Sequence, residues 1–304
     1  LGRFAVPTAT GDLSVTFLGV ATLLITDGES ALMTDGFFSR PGLVRVASSK
    51  LAPNLARIDE ALTRMDVSSL SAVVPVHSHY DHVLDSAVVA ERTGAQLVGG
   101  ESTANVGRGH QLPMDQIRVV AAGESTDYGR FTVTHVESSH CPPDRYPGDI
   151  REPVTIPARA SAYRCGEAWS LLLRHDSGRT ALVQGSAGFV PGALAGRQAD
   201  VVYLGVGQLG VQSEAYIQTY WEETVRTVGA QRVVLIHWDD FFRPLDRPLR
   251  TLPFVGDDLD VTMRTLGALA SRDGVVLDLP SVWQREDPWA GLTRPAGLGD
   301  DVHS

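Results

Sequence analysis

The sequence predicts an α/β protein made of two similar halves packed face to face in one domain. Three observations carry this. Two runs of short strand-like segments interspersed with helix-like ones are visible, the first ending near Val136 and the second starting near Ala168. No linker-like stretch separates them. The histidine-rich stretch His77-Ser78-His79-Tyr80-Asp81-His82 sits where a buried-looking strand gives way to a helix. The chain has 304 residues, 43% of them hydrophobic, enough to bury a large core. We expect a single domain over residues 1–280 and a tail over 281–304.

In chain order, residues 13–18, 21–26 and 30–33 read as strands, with Gly19 and Asp27-Gly28 as the turns between them. Residues 37–49 hold Phe37-Phe38 and Pro41-Gly42 but no period, and read as a loop overhanging the site. Residues 53–64 place Leu55, Ile58 and Leu62 on one helical face. Residues 72–76 are a continuous apolar run of strand length, and 83–91 a helix. A short strand at 96–98, a short helix from 102 and strands at 117–120 and 131–136 complete the first run. Residues 142–159 are rich in Pro, Arg, Asp and Tyr without any period, so they read as a long loop and a candidate substrate lid. Strands follow at 168–175 and 180–183, around the turn Asp176-Ser177-Gly178. Then come a strand at 200–205, a glycine-rich loop at 205–210 and a helix over 213–228 capped by Ser213. A strand at 232–236, a proline-rich loop at 241–254, a helix at 258–270 and a strand at 275–277 close the fold. The tail from Pro280 is rich in Pro, Gly and Asp and reads as loosely ordered.

The chemistry concentrates at strand ends. In an extended segment residues two apart share a side, so His77 and His79 can reach one ion. Asp81 and His82 fall at the start of the helix, turned toward a second position. Neutral imidazoles with a carboxylate suit zinc. His140 ends another strand just before Pro142-Pro143, and His237 ends a third. Asp35 follows the third strand, where an acid serves either as a turn former or as an anchor for a ligand histidine. In the long loop, Arg145, Tyr146, Arg151 and Arg159 are placed to meet an anionic or polar substrate, or to be ordinary surface residues. His135 alternates with Val133 and reads as a packed or surface strand residue.

Composition narrows the rest. The net charge of -10 argues against general nucleic-acid binding. Two cysteines, Cys141 and Cys165, do not make a disulfide framework, and whether they pair is open. No apolar run is long enough to span a membrane. A cytoplasmic location is expected. An exported or N-terminally anchored form is the alternative, because the chain begins at Leu1 rather than Met. The sequence leaves the oligomeric state open.

Asp35, the His-x-His-x-Asp-His motif at 77–82, His140 and His237 together resemble the metallo-β-lactamase fold superfamily, over nearly the whole chain. The resemblance implies a four-layer αββα sandwich with its metal site at the sheet edge. It implies that His77, His79 and His140 hold one ion and that Asp81, His82 and His237 hold a second. Zinc is the expected metal, one or two ions, with manganese or iron as alternatives. The hairpin start at 17–25 looks most like the branch containing ascorbate-6-phosphate lactonase and N-acyl-phosphatidylethanolamine phospholipase D.

The implied activity is that of a zinc-dependent hydrolase using a metal-bound hydroxide on an ester, lactone or phosphoester of a small-molecule substrate. Asp81 would orient the nucleophile or take its proton, and Tyr80 would donate to the oxyanion or pack under the loop. Two rivals remain: a di-iron redox protein of the same fold, and a non-catalytic metal-binding relative. The chain departs from the family pattern at Gly185-Ser186, where a Gly-Asp pair usually supplies a carboxylate between the two metals. A serine hydroxyl is a poor zinc ligand, so the second site is expected to be the weaker.

Overall fold

The computed structural model describes residues 5–253 and 256–293. The first half runs β1 (Ser14–Phe17), β2 (Leu23–Thr26), β3 (Ala31–Thr34), α1 (Leu43–Ser48), α2 (Leu55–Arg64), β4 (Ala72–Val74), α3 (Tyr80–Val83), α4 (Ser86–Thr93), β5 (Gln96–Gly99), α5 (Glu101–Gly109) and β6 (Ile117–Val119). The second runs β7 (Ser125–Tyr128), β8 (Phe131–Ser138), β9 (Ala168–His175), β10 (Thr180–Gln184), β11 (Val201–Gly205), α6 (Glu214–Trp221), β12 (Arg232–Ile236), α7 (Leu259–Asp273) and β13 (Val276–Asp278). A last strand, β14 (Arg285–Glu286), returns to the first sheet beside β1.

The described strands form two seven-stranded sheets, the first from β1–β6 with β14 and the second from β7–β13. The orders are β14-β1-β2-β3-β4-β5-β6 and β13-β12-β11-β10-β9-β8-β7. Both switch from antiparallel to parallel pairing: at β3 in the first sheet, at β10 in the second. Parallel neighbours need crossovers, and the helices that supply them cover the outer faces. The strands alternate accordingly. On β11 and β12, Val201, Tyr203, Val234 and Ile236 face the other sheet, meeting Phe17, Leu23 and Val74. Their neighbours Val202, Leu204, Val233 and Leu235 face outward onto Ile217, Trp221 and Leu266 of α6 and α7. On the first sheet, Met33, Val73 and Leu97 pack outward on Ile58 and Leu62 of α2 and Val89 of α4. The order of layers is therefore helix, sheet, sheet, helix, the αββα sandwich expected.

Several elements differ from expectation. The helix expected at 83–91 begins at Ser86, after the separate turn α3. Asp85 stands between them, its carboxylate accepting the amides of Phe38 (2.7 Å) and Ser39 (2.6 Å). The helix expected over 213–228 keeps its Ser213 cap but turns into a π-helical stretch at Glu222–Arg226. Residues 37–49, read as a loop, contain α1, which buries none of its residues. The tail was expected to be loose from Pro280. Its described part instead adds β14 and buries Trp289 between the sheets, where its indole N–H donates to the Thr180 carbonyl (2.8 Å). Residues 294–304 of that tail, like Leu1, lie outside the described residues.

Candidate metal centre

Every residue of the histidine cluster follows the carboxyl end of a strand. Asp35 follows β3, His77 to His82 follow β4, His140 follows β8, Ser186 follows β10 and His237 follows β12. These strands run the same way within each sheet, so their ends share one edge, where ligand sites of open α/β sheets form.

Two triads gather there. His77, His79 and His140 bring donor atoms within 4.8 Å of one another, and so do Asp81, His82 and His237. The His77 and His82 rings lie 4.0 Å apart between centroids, so the triads adjoin. Nitrogens each about 2.1 Å from one zinc at the tetrahedral angle lie about 3.4 Å apart. The observed gaps are close to this: 3.1 Å from His77 Nε2 to His79 Nδ1, and 3.7 and 3.6 Å from Asp81 Oδ2 to the Nε2 atoms of His82 and His237.

The surroundings aim these atoms. Asp35 takes the amide of Val76 on Oδ1 (2.9 Å) and His82 Nδ1 on Oδ2 (2.7 Å), which leaves His82 Nε2 buried without a hydrogen-bond partner. His79 Nε2 faces Asp144 Oδ1 at 3.2 Å and the Tyr146 carbonyl at 3.3 Å, so its Nδ1 is free for an ion. His140 Nδ1 faces the Cys141 carbonyl at 2.6 Å. The His237 amide donates to the Val20 carbonyl (2.7 Å), while the Val20 amide donates to Asp239 (2.8 Å) and Asp239 pairs with buried Arg40. Val20, Asp35, Arg40 and His237 all have positive φ despite bearing side chains, half of the eight such residues described. Strain of that kind persists where surrounding contacts over-determine the backbone. Gly207 must be small, since a Cβ there would stand 2.7 Å from His237 Nδ1.

Electrostatics agree with a cation site. Burial pulls His77 well below the ordinary histidine pKa, lowers His79, and takes His140 down to about 4, so these rings are neutral and have lone pairs to give. Burial would also lower His82, but Asp35 and Asp81 outweigh it and the net shift is upward. Burial would raise Asp81, yet His82 and His237 hold it below the usual carboxylate range. Orphaned His82 Nε2, the neutral triad and the ionised Asp81 fit a divalent ion in each position.

Ser186 is buried and does not stand free between the triads. Its hydroxyl accepts the Cys141 amide (3.0 Å), and Gly188 lies so close that a Cβ there would be 2.2 Å from the Ser139 carbonyl oxygen. The loop after β10 thus clasps the segment that carries His140. Tyr80 is edge-on to Phe37 and Phe241, with centroids 6.3 and 6.5 Å away. Burial raises its pKa, so the phenol keeps its proton.

The long loop splits into two parts. Asp144 and Tyr146 reach His79, and Ile150 and Val154 are buried in a cluster that includes Phe37, Tyr80 and Val106. Arg145 is exposed, its guanidinium over the Tyr146 ring. The Arg151 side chain is 85% exposed, with Asp149 as its neighbour at 3.9 Å and no contact to the triads. Cys141 and Cys165 are both free thiols, each pushed up to about 12 chiefly by burial, and Cys165 Sγ lies within 4.8 Å of donor atoms of His79 and Asp144. His135 is buried in β8 against Trp169, remote in role from the triads. Sequence reasoning missed Asp144, Asp239 and Arg40. Asp239, two residues beyond His237, had a visible signal; the other two are brought in by the paths of loops.

The comparisons with known proteins agree with this geometry. A family model described as the beta-lactamase superfamily domain matches residues 41–238, and the chain belongs to that superfamily. Among solved structures, a protein of Parabacteroides distasonis ATCC 8503 described as a candidate metal-dependent hydrolase is similar over 92% of this chain and 99% of its own, at 12% identity and a TM-score of 0.54. CmlA, a diiron β-hydroxylase from Streptomyces venezuelae, is similar over 91% of this chain but only 54% of its own, at 12% identity and a TM-score of 0.55. At such identities the likeness concerns the fold. No curated protein matches the sequence.

Proposed function

We propose that this protein is a zinc-dependent hydrolase of a small-molecule ester, lactone or phosphoester. The observation that carries the reading is the pair of adjoining triads, His77/His79/His140 and Asp81/His82/His237, built from five imidazoles and one ionised carboxylate. A set this rich in imidazole and poor in carboxylate favours zinc over a pair of irons. Bound zinc supplies Lewis acidity and lowers the pKa of a coordinated water to about 7. The chain's own residues do the rest. Asp81, held ionised and therefore a weak base, accepts a hydrogen bond from the attacking water and orients it. The Tyr80 phenol, kept protonated by burial, donates toward the oxygen on which charge develops. Asp35, Asp144 and Asp239 fix the rings they touch or support. Ser186 braces the His140 segment and leaves the second triad without the family's usual bridging carboxylate. Tyr146, whose carbonyl faces His79, and its neighbour Arg145 would meet an anionic or polar part of the substrate, and exposed Arg151 lies on the same loop. Among the described residues no helix is long and apolar enough to cross a membrane, and a cytoplasmic site of action is part of this reading.

The test is turnover of p-nitrophenyl acetate, a γ-lactone and bis-p-nitrophenyl phosphate by protein loaded with zinc, manganese or iron. Hydrolysis of at least one substrate by the zinc form, abolished by a chelator and restored by zinc, is expected. A zinc-saturated protein inert toward all three classes would count against the reading. Two tightly held irons with a visible absorption band would instead favour the redox alternative.

A further inference from the structure

Beside the metal centre lies a cavity of about 600 Å³ that none of the triad residues lines. Arg40, Arg45, Arg57 and Arg247 stand in its wall, and no acidic residue does. In a chain of net charge -10, an all-cationic wall runs against composition. Arg40 is committed to Asp239 and to the carbonyls of Asp240 and Arg243. Arg57 gives Nη1 to the carbonyls of Ser39 and Arg40. Among the described residues, the guanidinium groups of Arg45 and Arg247 have no ion pair and no hydrogen bond. Arg57 also lines a neighbouring groove with Glu60, Arg64, Asp246 and Trp283, and its charge acts on buried Asp85. Arg45 and Arg247, both exposed, are thus two uncompensated cations on one concave wall, and their combined field favours an anion between them.

The cavity also has a defined relation to the triads. Phe242 lines it and lies 4.5 Å from Phe241, which lies 5.8 Å from the His237 ring. Leu51 lines it too and packs in the same apolar cluster as Tyr80. Two ring-to-ring steps therefore separate its wall from a ligand histidine. Guanidinium groups match the oxygens of carboxylate and phosphate, and the volume suits part of a small molecule. We infer that this cavity binds an anionic oxygen group, a carboxylate or a phosphate, at the end of the substrate remote from the bond cleaved. The inference rests on the hydrolase reading for the identity of the occupant, but not for anion binding itself.

Two experiments separate these. Calorimetric titration of the zinc-loaded protein with sulfate is expected to show binding that weakens about tenfold or more in Arg45→Gln/Arg247→Gln. It should persist in Arg197→Gln, which alters a cavity elsewhere. Equal sulfate affinity in the wild type and the double variant would overturn the site. Glutarate and methylphosphonate, titrated likewise, tell carboxylate from phosphate by which binds tighter. The second experiment compares kcat/KM for mono-p-nitrophenyl glutarate with that for p-nitrophenyl butyrate. The preference for the anionic ester is expected to fall about tenfold in the double variant. An unchanged preference alongside weakened sulfate binding would overturn the cavity's assignment to substrate. Absence of any hydrolysis would tell against the enzyme reading alone, since sulfate binding needs no turnover.

Discussion

His82 has one ring nitrogen held by Asp35 and the other buried with nothing to hold. That asymmetry is the account at the scale of single residues: His79, His82 and His140 are each fixed at one ring nitrogen by an oxygen outside their own triad, which leaves the other nitrogen for an ion. Asp35→Asn should therefore cost about 10–100-fold in zinc affinity at the second triad, because an amide orients the ring poorly and adds no negative charge. A chelator competition showing less than a twofold change would refute that role. Ser186 gives a second prediction. With no carboxylate between two dications, the Asp81/His82/His237 site should empty first on mild chelation. Ser186→Asp should tighten that site without necessarily raising turnover, since a new carboxylate can displace the attacking water. Two equally tight wild-type sites, unchanged in the variant, would contradict it. The candidate ligands were legible because four of the six crowd into residues 77–82 directly after one strand, while His140 and His237 each follow another. Asp144 and Arg40 were not, because nothing local to them reports which histidine or aspartate a loop will carry them to.

Among elements, the loop 142–159 matters most. It looks aperiodic in sequence, yet it is built. The Asn105 side chain on α5 donates to the Ile150 carbonyl (2.7 Å), the Val154 amide donates to the Asn105 carbonyl (3.1 Å), and Ile150 and Val154 are buried. Asn105→Ala strands a buried carbonyl and should cost about 1–3 kcal/mol in urea unfolding, with faster amide exchange over residues 146–154. Unaltered exchange there would show that the apolar cluster alone holds the loop. Strands with strong apolar patterns, such as β9, β11 and β12, were read nearly to their ends. β7 escaped because Ser-Thr-Asp-Tyr carries no apolar period; it is an edge strand held by pairing to β8, with Ser125 and Thr134 sharing a hydroxyl contact of 2.8 Å. The exposed helix α1 buries nothing and so left no periodic trace.

The whole molecule is two similar sheets closed around one core, and that plan was visible in the order of strand-like and helix-like segments. What the sequence hid was its closure. The tail seemed too polar to pack, but β14 pairs with β1 and inserts Glu286, 1% exposed, beside the core. Burial, opposed by the Ser281 amide and reinforced by Asp278, raises its pKa to about 7 from 4.5. The unfolded chain loses this proton near pH 4.5, while the folded chain keeps it until about 7. This carboxyl group therefore favours folding most below pH 4.5, and its contribution declines as pH rises to about 7 and is lost above it. Glu286→Gln should thus gain stability relative to the wild type as pH rises from 5 to 8, reaching about 2 kcal/mol, or about 3 °C in Tm. A gap that stays constant with pH would mean that Glu286 ionises freely in the fold.

The central claim, that two adjoining triads at one sheet edge each receive a metal ion, is tested most directly by anomalous X-ray diffraction at the zinc edge from crystals grown with zinc. We predict one strong peak among His77, His79 and His140 and a second, of lower occupancy, among Asp81, His82 and His237. His79→Ala should abolish the first. A zinc-soaked crystal with no peak at either triad, or with its zinc bound elsewhere, would contradict the account.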